Sequence, residues 1–253
     1  MNGAIRIQPE YVLRIFGLPI TNTLLTSVIV TVVLAIVAVA FSRQVDKPKS
    51  IVAGSLILLL REWLSRVDAV THSRELSKQI FPLTATFFLF IFTANVLALL
   101  PGFLGSFYVA TGTAHMPLLR SPNTDLSTTL ALALVSVGAT QYYSMKRLGL
   151  GRFLGRFFNF KSPLKATIGF FELLSEVTKI ISFSFRLFGN MFAGEVLLLI
   201  TAFLLPYLVP LPFMILELFV GFIQAFIFAT LTLAFISMST AVTDVEFGKE
   251  VSA

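Results

Sequence analysis

The sequence has no cysteine and few charged residues for its length. Its 253 residues contain only two histidines, His72 and His115. The absence of cysteine excludes disulfides, thiolate metal sites and cysteine nucleophiles, and two histidines are too few for an all-histidine metal site. Charged residues make up 13% of the chain, whereas a soluble domain has about a quarter. The composition excludes an ordinary soluble globular protein, and we expect no metal and no cofactor.

Long hydrophobic runs take the place of the missing charges. Hydrophobic residues make up 56% of the chain and 27 residues are phenylalanine. A transmembrane helix needs about 20 apolar residues. Runs of this kind predict spans at 20–42 and 82–101, the latter bracketed by Pro82 and Pro101. A weaker run at 125–145 is rich in Ser and Thr, so we expect it to pack against other helices.

The region 50–79 mixes apolar residues with charges such as Arg61 and Glu62, which predicts an amphipathic helix on the membrane surface. The segment 163–205 has no internal proline, and as a helix it would extend about 64 Å, twice the bilayer core. Pro206, Pro210 and Pro212 then force a turn, and a second long helix follows.

We therefore predict an all-α polytopic membrane protein with five transmembrane helices, one surface helix and a long tilted hairpin at the end. The whole chain, 1–253, forms one integral membrane domain. Its predicted segments are an outer N-terminal segment 1–19, first span 20–42, surface helix 50–79, second span 82–101, outer loop 102–124, third span 125–145, basic inner loop 146–162, hairpin 163–243 and inner tail 244–253.

The positive charges predict the orientation. Basic residues cluster in 43–49, in the surface helix and in 146–165, while the loops 102–124 and 206–212 contain only Arg120. Lysine and arginine mark the inner side of a membrane. We expect the N-terminus outside and the C-terminus inside, and the net charge of +6 gives no support for nucleic-acid binding.

Six ionisable residues lie within the two last apolar elements: Glu172, Glu176, Lys179, Arg186, Glu195 and Glu217. Such groups are costly at bilayer depth unless paired or hydrated, so they are functional candidates. Glu172, Lys179 and Arg186 recur every seven residues and share one helical stripe, while Glu195 lies about 180° from Arg186.

Structural alternatives stay open for several of these residues. Lys179 could form a structural ion pair with Glu172 or with Glu176, and both glutamates could be interfacial and solvated. Asn95 could cap a neighbouring helix or serve a channel. Arg186 keeps its charge at any physiological pH, so its partner must come from elsewhere.

The segment FSFRLFGNMFAGE at 183–195 closely resembles subunit a of the F-type ATP synthases. ILELFVGFIQAFIFATLTLAFISMS at 215–239, TANVLALLPG at 93–102 and SPNTDLSTTLALAL at 121–134 support the resemblance, which runs over nearly the whole chain. In that family the subunit is the stator part of a proton channel packed against a rotating ring of c subunits.

The resemblance implies roles for individual residues. Arg186 matches the essential charge that faces the ring carboxylate, with Asn190 in the same motif and Glu176 in support. The outer proton path is implied to use Glu195, Glu217, Gln224 and Asn95, and the inner path Glu172, Lys179 and Ser182. Some members carry histidine where Glu217 stands, so the resemblance leaves open which of Glu195 and Glu217 holds the proton.

The implied function is to couple proton translocation to ring rotation for ATP synthesis. The implied partners are the c-ring, the peripheral-stalk b subunits, indirectly the catalytic head, and membrane lipid; the ion is H⁺, with Na⁺ left open. We expect a bacterial inner membrane, with an organelle inner or thylakoid membrane as the alternative. The chain has no GxxxxGK[ST] motif, so we expect no ATP chemistry in this subunit.

Two other classes of protein are alternatives. A secondary transporter would use intramembrane Glu and Arg to bind its substrate, but such proteins usually show duplicated halves, and the sequence has no internal repeat. A membrane-embedded hydrolase would need a His/Ser/Asp or metal constellation within the spans, which the sequence also lacks.

Overall fold

The computed structural model describes residues 11–15, 18–42, 51–71, 73–99, 108–111, 114–117, 120–157, 163–205 and 209–250. These residues form the helices α1 (Asn22–Ser42), α2 (Ile51–Thr71), α3 (Arg74–Leu99), α4 (Leu126–Leu148), α5 (Leu150–Phe157), α6 (Pro163–Leu204) and α7 (Pro210–Glu250). A short 3-10 helix, Pro122–Thr124, precedes α4. The predicted all-α class of a polytopic membrane protein is confirmed.

Two small antiparallel hairpins accompany the helices. β1 (Tyr11–Ile15) pairs with β2 (Leu18–Thr21), and β3 (Tyr108–Thr111) pairs with β4 (Ala114–Pro117). These strands are absent from the sequence-based prediction, although YVLRI and YVAT contain the aromatic and β-branched residues that favour strands. Parts of the predicted outer loop and inner tail, and His72, lie outside the described residues.

Within the described residues, four helices are long and apolar enough to cross a membrane: α1, α3, α6 and α7. The fifth predicted span corresponds to α4, whose 23 residues would extend about 35 Å. Its Ser, Thr and Gln residues make it less apolar than the other four, and its buried residues include Thr129, Ser136, Thr140 and Ser144. That α4 crosses the membrane stays a prediction.

The boundary between α2 and α3 lies earlier in the chain than the predicted boundary between the surface helix and the second span. α2 ends at Thr71 and α3 begins at Arg74, then continues through Pro82. Pro82 lies on an exposed side of α3, so the carbonyl that loses its intrahelical partner is not enclosed by protein. The Thr71 and Ser77 hydroxyls contact at 2.5 Å and join the two helices at the boundary.

The core lies between α3, α4, α6 and α7, with α2 packed against α3 and α7. Trp63 of α2 stacks on Phe88 of α3 at a centroid distance of 5.5 Å. The ring centroids of Phe183 in α6 and Phe228 in α7 are 4.9 Å apart. The largest fully buried side chains include Phe228, Ile80, Ile91, Leu187 and Ile236. Aromatic and aliphatic contacts therefore fix the positions of the two hairpin helices.

Both helices of the terminal hairpin are long and begin at a proline. α6 has 42 residues and α7 has 41. Pro163 and Pro210 occupy first helical positions, where the missing N–H costs nothing. α6 would extend about 63 Å, more than a bilayer core, which is why the sequence predicts that this hairpin is tilted.

Candidate functional site

Arg186 points away from the helical bundle. Ser184 is buried on the opposite side of α6, where its hydroxyl lies 3.2 Å from that of Thr129 in α4. Two residues advance a helix by about 200°, so contact of Ser184 with α4 turns Arg186 outward. Its Nη2 donates to Ser182 Oγ at 3.3 Å. No carboxylate in the described part of the chain forms an ion pair with Arg186.

An open depression of about 480 Å³ leads along α6 to Arg186. Its lining includes Lys179, Ser182 and Arg186, with Leu231 and Phe235 from α7. Lys179 Nζ lies 2.7 Å from Glu176 Oε1 and 4.9 Å from the centroid of the Phe235 ring. Of the two partners that the sequence left open for Lys179, the structure selects Glu176.

Glu172 has a different environment from the rest of its predicted stripe. It forms an ion pair with Arg156 of α5 and is absent from the lining of the depression. The structure therefore brings Lys179, Ser182 and Arg186 together and places Glu172 against the short basic helix. The sequence predicts a role for Arg156 only as one of the cations that set the membrane orientation, because the spacing of residues along the chain does not identify Glu172 as its partner.

Glu195 lies on the bundle side of α6, about 20° from Ser184 around the helix axis. Arg120 Nη2 donates to Glu195 Oε2 at 3.2 Å, and the two side chains are 8% and 21% exposed. The Arg120 backbone N–H donates to Thr26 Oγ1 of α1 at 3.2 Å. Arg120 is not among the predicted site residues, although it is the sole lysine or arginine in the segments 102–124 and 206–212.

Glu217 of α7 is buried against the helix that carries Glu195. Its carboxylate lies so close to Gly194 that a methyl group on that glycine would overlap it. Glu217 Oε2 has no hydrogen-bond partner among the described residues. Since Gly194 directly precedes Glu195, the structure brings the two glutamates to one region across the hairpin.

Side-chain amides follow Glu217 along α7. Asn123 Nδ2 donates to Asn95 Oδ1 at 2.6 Å, and Asn95 Nδ2 donates to the carbonyl of Gly221 at 3.1 Å. Asn190 Nδ2 donates to Gln224 Oε1 at 2.7 Å. Asn95 thus bonds to the middle of α7 and does not cap a helix end. Asn123, which sequence analysis did not single out, follows the Ser121–Pro122 start of the 3-10 helix.

These amides form a row along one face of α7. Glu217, Gly221 and Gln224 follow one another at four- and three-residue steps, a length of about 10 Å. Gln224 bonds to Asn190, which lies one helical turn beyond Arg186. The row ends beside Arg186, and the depression reaches the same residue from the other direction. Two sets of polar groups therefore meet at one exposed cation.

Comparison with known proteins identifies the family. The family model described as ATP synthase A chain matches residues 24–237. The chain belongs to the ATP synthase subunit a family. Subunit a of Moorella thermoacetica is 28% identical over 235 residues, covering 91% of this chain and 96% of that protein. Subunit a of Acidothermus cellulolyticus is 31% identical over 227 residues, with coverages of 87% and 77%.

A third relative, subunit a of a Sulfurihydrogenibium species, is 30% identical over 210 residues, covering 81% of this chain and 91% of that protein. The matched range extends from α1 into α7 and includes every site residue described above. As a subunit a, the protein is a multi-pass membrane protein that serves ion transport and ATP synthesis in the F-type synthase, and the transporter alternative is not favoured.

Proposed function

We propose that this subunit a forms two offset proton half-channels that meet at Arg186, on the surface that contacts the c-ring. The observation that carries the proposal is the position of Arg186. It is exposed, it has no ion-pair partner among the described residues, and it separates the two sets of polar groups. Elsewhere on its exposed surface, α6 presents large apolar side chains: Phe171, Leu174, Val177, Ile181 and Phe185.

A permanent cation on the exposed side of a membrane-embedded helix is costly when it contacts lipid. Charged groups at membrane depth pair with another charge or face a hydrated cavity. The partner we propose is a carboxylate on a c subunit that passes this face as the ring turns. Arginine suits this position better than lysine because its guanidinium cannot lose its proton.

The outer half-channel is the row from Glu195 and Glu217 through Asn95 and Gln224. Glu217 Oε2 and Gln224 Nε2 are buried without a partner in the described part of the chain. Buried polar atoms of this kind are costly unless they are hydrated, so we assign water to this row. Asn190 ends the row and supports the approach to Arg186.

The inner half-channel is the depression beside Lys179 and Ser182. Its opening beside α6 gives water access from the side of Glu176 and Glu172. Ion pairs hold the side chains of these two glutamates in place. A ring carboxylate that nears Arg186 is favoured as an anion and releases its proton here. Before the carboxylate returns to lipid, the outer half-channel supplies another proton.

A fixed cation between two half-channels forces each proton to travel with the ring. The membrane potential supplies about 2.3 kcal/mol per charge for each 100 mV. We further propose a bacterial inner membrane, an outer N-terminus, a cytoplasmic C-terminus, a membrane crossing by α4, and contacts with the peripheral-stalk b subunits. The translocated ion is H⁺ in this proposal.

Replacement of Arg186 tests the proposal. We expect Arg186→Ala to abolish proton-driven ATP synthesis in membrane vesicles while the complex still assembles, because Lys179, the other cation that lines the depression, is already paired with Glu176. Arg66→Ala is the matched control, since Arg66 pairs with Glu62 on an exposed helix face and should leave synthesis intact. Synthesis near the wild-type rate in assembled Arg186→Ala complexes would refute the proposal.

A further inference from the structure

We propose that Arg120 is a positioning residue that holds Glu195 as a carboxylate anion, which makes Glu217 the outer glutamate that takes up and passes on the proton. The inference rests on the half-channel function proposed above and assigns different roles to its two acids. It also gives the outer loop a part in proton transfer through a residue that lies outside the hairpin.

The Arg120–Glu195 contact is an ion pair between a buried guanidinium and a partly buried carboxylate. Nη2 and Oε2 are 3.2 Å apart, and the two side chains are 8% and 21% exposed. A guanidinium keeps its charge under all physiological conditions, so a carboxylate beside it is stabilised as the anion. Removing one partner of a buried pair leaves the other charge uncompensated.

The segment that carries Arg120 is fixed at both ends by α1. At its start, the Arg120 N–H donates to Thr26 Oγ1 at 3.2 Å. At its end, Thr23 Oγ1 donates to Asp125 Oδ2 at 2.9 Å, and Asp125 also caps α4 by accepting from the Ser127 N–H. Two threonines one helical turn apart thus hold the segment, so the guanidinium meets Glu195 in a defined place.

Among the described residues, no cation pairs with Glu217 in this way. No described lysine or arginine forms an ion pair with it, its side chain is buried, and its Oε2 lacks a hydrogen-bond partner among the described residues. The charged groups on the elements around the two acids are Arg120 and Asp125, because α1 contains no charged residue and α3 contains none after Lys78. A buried carboxyl without a cation is accommodated at lowest cost when it carries a proton.

The two glutamates therefore have different roles in proton transfer. Glu195 is a fixed anion that balances Arg120, and Glu217 exchanges protons with the outer phase and with the amide row. Gly194 leaves Glu217 room to approach its neighbour. If Glu195 were the proton carrier, each transfer would leave the buried Arg120 charge without its counter-charge.

The test uses the complete synthase in membrane vesicles, with proton-driven synthesis measured per assembled complex. The variants are Arg120→Gln, Arg120→Lys, Glu195→Gln, Glu217→Gln and the double variant Arg120→Gln/Glu195→Gln. We expect each neutralising change within the ion pair to slow synthesis about tenfold and the double variant to recover to within about threefold of wild type. Arg120→Lys should retain most activity, and Glu217→Gln should abolish synthesis.

Recovery in the double variant is the readout that loss of packing alone would not give. Where Arg120→Gln fails to assemble, the double variant is compared with wild type instead: synthesis within about threefold of wild type per assembled complex supports the proposal, and slower synthesis overturns it. A double variant no faster than Arg120→Gln would overturn the proposal, and so would a fully active Glu217→Gln. Arg66→Gln, which breaks an exposed pair with the same 3.2 Å distance, should behave as wild type.

Failure of this inference can be told apart from failure of the proposed function. Loss of synthesis in Arg186→Ala together with no recovery in the double variant would reject the role of Arg120 alone. Normal synthesis in Arg186→Ala would reject the half-channel proposal itself.

Discussion

At the scale of single residues, Gly194 shows how a missing side chain makes room for an acid. The Glu217 carboxylate occupies the space where a β-carbon on Gly194 would lie. Glycine at this helical position costs about 1 kcal/mol relative to alanine. The site therefore accepts a weaker helix former so that Glu217 can lie against α6 beside Glu195.

Adding one methyl group should separate the two acids. We expect Gly194→Ala to displace the Glu217 carboxylate and to lower proton-driven ATP synthesis about tenfold, since small misplacements at reacting groups have large effects on rate. The measurement is the synthesis rate in membrane vesicles per assembled complex. Gly138→Ala in α4, where an added β-carbon meets nothing within 4 Å, is the control. Equal rates for the two variants would contradict this view of Gly194.

The site residues that could be predicted from the sequence differ from the others in the residues that flank them. Arg186 and Glu217 could be singled out because a charge within an apolar run is visible in the sequence itself. Arg120 and Arg156 lie in polar connections, and their importance depends on partners 75 and 16 residues away. Such pairings depend on tertiary packing, which the spacing of residues along one helix does not contain.

At the scale of the helices, hydroxyl contacts position α4 against the hairpin. Ser136 of α4 and Thr232 of α7 lie 2.7 Å apart, and the Thr232 hydroxyl donates to the carbonyl of Phe228. Because that hydrogen is already used, Ser136 must be the donor to Thr232. The weak hydropathy of α4 correctly indicated contact with other helices, although the partners could not be read from the sequence.

The direction of this hydrogen bond predicts an asymmetry. Thr232→Val should destabilise the subunit by about 1–2 kcal/mol because it leaves the buried Ser136 donor unpaired. Ser136→Ala should cost less, since Thr232 keeps its bond to Phe228, and the double variant should match Ser136→Ala. Thermal unfolding of the detergent-solubilised subunit, followed through the fluorescence of Trp63, measures these differences. Greater destabilisation by Ser136→Ala than by Thr232→Val would reverse the assigned donor.

Helix boundaries were less predictable than helix faces. The sequence predicts that the second span begins at Pro82, but α3 starts eight residues earlier and includes this proline. Proline is tolerated inside a helix when the freed carbonyl is not enclosed, and that depends on which side of α3 faces the bundle. Periodicity, by contrast, placed Arg186 and Glu195 on opposite sides of α6 because helical geometry alone decides it.

At the scale of the whole molecule, the polar groups form one route that is divided at Arg186. The amide row on α7 reaches Arg186 through Asn190, and the depression lined by Lys179 and Ser182 reaches it from the other side. A continuous pore would dissipate the proton gradient without turning the ring. The polar route must therefore be divided at Arg186.

Cysteine accessibility tests this division of the route, because the native chain contains no cysteine and any new thiol is the introduced one. The outer set replaces Glu195, Glu217 or Gln224 by cysteine, and the inner set replaces Glu172, Lys179 or Ser182. Silver ion is applied to one side of vesicles of known orientation, with the cysteine-free subunit in the same complex as background. We predict that the outer set reacts only from outside and the inner set only from inside. Equal reactivity of both sets from one side would contradict the account.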